Sequence, residues 1–86
     1  MNFRVFWSPY AEERLENILL NTLDAAIIAA AAKQIDRFLS AAPQEFGESR
    51  YDTIRISFVP PLGVQFEVLD DVQTVIVYDV WRIDRR

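Results

Sequence analysis

LGVQFEVLDDVQTVIVYDVWRI, residues 62–83, is the stretch whose reading decides the fold. In its first half Val64, Phe66 and Val68 alternate with Gln65 and Glu67, the period of a half-buried strand. Asp70-Asp71 is a turn signal and predicts a two-residue hairpin. That turn pairs Leu69 with Val72, Val68 with Gln73 and Phe66 with Val75. From Val72 the chain is apolar on both sides, with Val75 and Val77 on one and Ile76, Tyr78 and Val80 on the other. Such a strand belongs in the middle of a sheet.

Upstream, TIRISF places Ile54, Ile56 and Phe58 opposite Arg55 and Ser57. A five-residue loop, Val59 to Gly63, pairs Phe58 with Val64 and Ile56 with Phe66. That register gathers every large apolar residue on one face, and a slip of one would split the set. The open face then carries Arg55, Ser57, Gln65, Glu67, Thr74, Ile76, Tyr78, Val80 and Arg82. Residues 42–52 read as a loop broken by Pro43 and Gly47.

At the N-terminal end, Phe3, Val5 and Trp7 alternate as in a strand. Ser8-Pro9 follows as the N-cap and first residue of a helix. Ala11, Leu15, Ile18, Leu19 and Thr22 form one apolar face, and Glu12, Glu13 and Glu16 the wet one. After a break at 21–24, with Asp24 as cap, a second helix runs to about Ala41 on the stripe Ile27, Ile28, Ala31, Ile35, Phe38 and Leu39. The expected fold is one α+β domain over residues 1–86, ordered β-α-α-β-β-β. A helical hairpin packs on one face of a four-stranded, mainly antiparallel sheet, and Trp81 caps the core.

Composition narrows the chemistry. The chain is 51 % hydrophobic and 26 % charged, too apolar for disorder. Cysteine and histidine are both absent, which excludes disulfides, thiol nucleophiles and imidazole bases. No metal site or cofactor is expected. No apolar run reaches the roughly 18 residues of a membrane span, and the chain reads as cytoplasmic. The net charge of −4 opposes non-specific nucleic-acid binding, so an RNA role needs a local arginine patch.

Few residues could supply that patch. Arg55 and Glu67 come out as cross-strand neighbours. They are either a surface ion pair worth roughly 0.2–1 kcal/mol or an anion site in which Glu67 orients Arg55. Arg50 and Tyr51 could hold a phosphate and stack a base. The tail offers Arg82, Arg85 and Arg86, and Tyr78 is the candidate phenol of the open face.

Element order and segments together resemble the RelE/ParE superfamily, toxins of bacterial type II toxin–antitoxin modules. The resemblance rests on the opening strand with SPYAEERLENI, on FGESRYDTIRI, on PPLGVQFEVLDD and on TVIVYDVWRI. The family's P-x-A-E-x-x-L helix start is matched by Pro9, Ala11, Glu12, Glu13 and Leu15. Gly63 stands where many members begin the middle strand with arginine, and Trp81-Arg82-Ile83-Asp84 where many have His-Arg-Arg-Asp. The resemblance implies a cognate antitoxin as partner and a choice of activities. One is metal-free, ribosome-dependent mRNA cleavage, with Arg55 and Arg82 holding the scissile phosphate and Tyr78 assisting proton transfer. The alternative is a ParE-like or degenerate binding module that acts on gyrase or only on its antitoxin. Antitoxins of such modules are often acidic; opposite this acidic chain the contact is expected to be basic or apolar.

Overall fold

The computed structural model describes residues 2–51 and 53–83, without the side chains of Arg50 and Tyr51. The strands are β1 (Arg4–Trp7), β2 (Glu48–Tyr51), β3 (Ile54–Val59), β4 (Leu62–Leu69) and β5 (Thr74–Arg82). Helices α1 (Pro9–Leu20) and α2 (Ala25–Ala41) lie between β1 and β2. The sheet order is β1-β5-β4-β3-β2. Only β1 and β5 pair in parallel.

Local chemistry sets the helix starts. Ser8 Oγ accepts the Ala11 N–H at 3.1 Å and Pro9 opens α1, as the sequence predicts. Asp24 is the N-cap of α2 through its backbone carbonyl alone, with no side-chain bond. Helix α1 buries Ala11, and α2 buries Ile28, Ala31, Ile35 and Leu39. These meet Leu62, Val64, Phe66, Val68, Val75, Val77 and Val80 of the sheet. Phe46 stacks between Phe38 (4.9 Å) and Phe66 (5.7 Å), joining α2 to the sheet. Burial of Phe66 contributes about 1.5–3 kcal/mol. Ile27, expected in the core, is exposed at the start of α2.

Three features differ from the sequence reading. The first is a fifth strand, β2, within the expected loop. Gly47 permits it: at φ +99° it carries the chain so close to β3 that a Cβ would lie 2.4 Å from the Ile56 carbonyl oxygen.

The second is the β3/β4 register. The connection is the two-residue turn Pro60-Pro61, not a five-residue loop, and Val59 pairs with Leu62 and Phe58 with Gly63. Prolines have no N–H to extend the ladder, whereas Leu62 and Gly63 do. This one-residue slip turns Ile54, Ile56 and Phe58 to the open face and Arg55 and Ser57 to the helix side.

The third is the β4/β5 junction. A single 3₁₀ turn, Asp70–Val72, with Gln73 in the left-handed region (φ 49°), replaces the two-residue hairpin. Leu69 therefore pairs with Thr74. Further along, Gln65 pairs with Asp79 and Phe66 with Val77, so Tyr78 is an extra, bulged residue. The bulge returns Val80 to the core. Arg14 of α1 braces it, with Nε donating to Asp79 Oδ1 (3.1 Å) and to the Val80 carbonyl (3.2 Å).

Candidate functional site

The open face of the sheet is built in rows that the pairing sets. One row runs Ile54–Glu67–Ile76–Phe6 across β3, β4, β5 and β1. A second runs Phe58–Gly63–Trp81. Trp81 thus lies on the open face and does not cap the core. Its indole covers Gly63 so closely that a Cβ there would come within 2.5 Å of the ring. It also meets the Phe58 ring edge-on at 6.4 Å between centroids. Phe6 and Phe58 are each about half exposed, at 54 % and 53 %.

Among these apolar side chains sits one carboxylate with two hydroxyl donors. Tyr78 Oη donates to Glu67 Oε1 at 2.6 Å, and Thr53 Oγ1 donates to Glu67 Oε2 at 2.5 Å. The Thr53 bond, and then the Tyr78 bond, hold the Glu67 carboxyl below the usual carboxylate range. The bond to Glu67 raises the Tyr78 phenol, helped by burial and by the charge of Glu67. At neutral pH this cluster is a fixed negative charge carrying a protonated phenol, which is a poor base.

The arginines of the sequence reading do not gather there. Arg55 pairs with Phe66 on the helix side and donates Nη1 to the Gly47 carbonyl at 3.2 Å. Ile54, not Arg55, is the cross-strand neighbour of Glu67. Arg82 pairs with Leu62 on the helix side and donates Nη1 to Thr22 Oγ1 at 2.6 Å, beside the end of α1. Arg50 and Tyr51 belong to β2, but their side chains lie outside the described residues, as do Arg85 and Arg86 entirely. Among the described side chains Arg4 is the arginine of the open face, with its guanidinium over the Phe6 ring at 5.9 Å. Arg55, Tyr78 and Arg82 therefore do not share a phosphate-sized site.

Sequence reasoning did not find Thr53, Arg14 or the Gly63–Trp81 contact. The first and third depend on a register that parity alone could not supply, and Arg14 reads simply as a polar residue of α1. Among the described residues no three His, Cys, Asp or Glu side chains converge as a metal site, and no helix is long and apolar enough to cross a membrane.

No protein-family model matches the sequence, and no curated protein matches it. Solved structures do. A chain of the RelBE2 toxin–antitoxin complex from Mycobacterium tuberculosis superposes with a TM-score of 0.79 at 18 % identity, covering 95 % of this chain and 99 % of that one. The chromosomal ParDE toxin–antitoxin system from P. aeruginosa gives 0.70 at 16 % identity, covering 95 % and 97 %. The isolated E. coli RelE toxin gives 0.70 at 14 % identity, covering 98 % and 87 %. The α+β architecture is the RelE/ParE fold.

Proposed function

From this shared RelE/ParE fold we propose that the chain is the toxin-type component of a type II toxin–antitoxin pair and acts by binding protein, not by cutting RNA. The carrying observation is the open face, where the Glu67 carboxylate lies between Ile54 and Ile76 in the row that ends at Phe6, with Phe58 and Trp81 further along the same face, while Arg55 and Arg82 are held on the helix side. A phosphate in transition needs positive charge aimed at it. A negative carboxylate on an otherwise largely apolar face repels phosphate and suits burial against another protein. The RelBE2 structure is a toxin–antitoxin complex and the ParDE structure is of a toxin–antitoxin system, which supports an antitoxin as the first partner of this chain. Gyrase is the further protein target that the ParE-type reading supplies, and the chain acts in the cytoplasm.

Expression in a bacterial host tests the reading. Growth arrest is expected, with relief by the product of the adjacent gene. Primer extension on ribosome-bound messages should reveal no new cuts. A folded Arg55→Ala/Arg82→Ala variant should arrest growth as the wild type does. New cuts, or loss of arrest in that variant, would return the assignment to RNA cleavage.

A further inference from the structure

A groove of about 630 Å³ runs between α1 and α2, on the side of the molecule away from the open sheet face. Its floor is apolar: Trp7 from β1, Leu15 and Leu19 from α1, and Ala32 from α2, all partly buried. Its rim is acidic. Glu12, Glu13 and Glu16 project from α1 and Asp36 from α2, with Lys33 as the single cation among the lining residues. The Trp7 indole N–H donates to Asp36 Oδ1 at 2.8 Å, which ties the ring of the floor to the acidic rim.

We infer that this groove receives a helical segment of the partner protein whose apolar face is flanked by lysines or arginines. The inference rests on the partner-binding reading above and names the chemistry of the partner. Glu12 and Glu16 stand one turn apart, where like charges repel, and Lys33 does not balance the four carboxylates. Cations laid along the rim relieve that repulsion, and apolar side chains between them cover the floor. An acidic segment of the same shape is repelled. Helix α1 has 12 residues, about 18 Å of helix, so a docked helix of about three turns matches its length. The open sheet face is also apolar, but among the described side chains it carries no comparable run of charge to select a partner.

The test uses the full chain and a synthetic leucine–lysine helical peptide of about four turns, with leucines on one face. A counterpart with every lysine replaced by glutamate serves as comparison. Calorimetry measures affinity, and the Trp7 indole N–H resonance reports whether the groove is occupied. The groove variant is Glu13→Lys/Glu16→Lys. Both residues are exposed, and a lysine at 16 faces Glu12 favourably, so the helix is kept. The control is Glu45→Lys/Asp71→Lys, the same charge change away from the groove. The lysine peptide should bind the wild type, shift Trp7, and lose about tenfold or more in affinity to the groove variant alone. No binding to the wild type, equal loss in both variants, or an unmoved Trp7 resonance overturns the inference. Co-expression with the neighbouring gene product separates the two readings. A complex unaffected by Glu13→Lys/Glu16→Lys removes the groove and leaves partner binding standing. Failure of the wild type to form any complex removes both.

Discussion

The Tyr78 phenol reaches diagonally across the sheet to Glu67, a 2.6 Å bond between residues that are not direct partners, since Glu67 faces Ile76. The bulge at Tyr78 makes this geometry. It leaves Glu67 and Tyr78 titrating as two sides of one contact.

The pH dependence follows from both shifts. Glu67 titrates lower in the folded protein, so its contribution is present above the ordinary value of 4.5 and is lost as pH falls through the folded value. Tyr78 titrates higher, so its contribution is present below 10.0 and is lost as pH rises through its folded value. Tyr78→Phe should therefore lower stability most between 4.5 and 10.0 and converge with the wild type at both extremes. Urea midpoints across the pH range read this directly. Parallel curves for the two proteins would mean that the bond is not formed in solution.

Phe66 is fully buried and stacked on Phe46. Phe66→Ala should cost about 3–5 kcal/mol, a large share of the stability of so small a domain. Thermal or denaturant unfolding checks this, and an unchanged midpoint would place Phe66 outside the core.

Gly63→Ala drives a methyl into the Trp81 ring. Moving the indole also breaks its edge contact with Phe58, and about 1–3 kcal/mol should be lost. The same change in a Trp81→Ala background should cost much less. Equal costs in both backgrounds would show that the indole does not cover Gly63.

Ser8 caps α1 and also donates Oγ to the Tyr78 carbonyl at 3.3 Å. Ser8→Ala should destabilise by about 0.5–2 kcal/mol and Ser8→Asp much less, because aspartate retains the capping acceptor. Denaturation of both variants decides whether the cap or the β5 contact carries the effect.

The legible part of this fold is the part governed by face parity and local chemistry. Ser8-Pro9 announces α1 by the backbone requirements of a helix start. The predicted pairing of β4 with β5 is two residues from the observed one, and a shift of two leaves every side chain before the bulge at Tyr78 on its own face, whereas Val80, Trp81 and Arg82 beyond it change sides. Glu67 and Tyr78 were therefore readable as sharing the open face. The predicted pairing of β3 with β4 is one residue off, and that single step exchanges Arg55 with Ile54. The reason is that the sequence register puts the apolar alternation of β3 and of β4 on one side, whereas Ile54, Ile56 and Phe58 are apolar side chains on the open one. Strand β2 was hidden because its short polar run, ESRY, has no apolar alternation and follows a glycine that reads as a breaker.

Arg4 pairs with Thr74, so the first strand finds its neighbour among the described strands 70 positions further along the chain. Closing so long a loop carries an entropic cost that no local contact offsets in advance. The helical hairpin can form early from contacts close in sequence, but Val5 and Trp7 gain their sheet partners only when Val75 and Val77 are in place. Assembly of the domain is therefore governed by its longest-range pairing, which places its folding rate nearer that of sheet proteins than of helical bundles. Chains shortened before Thr74 should lose cooperative unfolding altogether, because the strand that joins the two ends of the sheet order is missing.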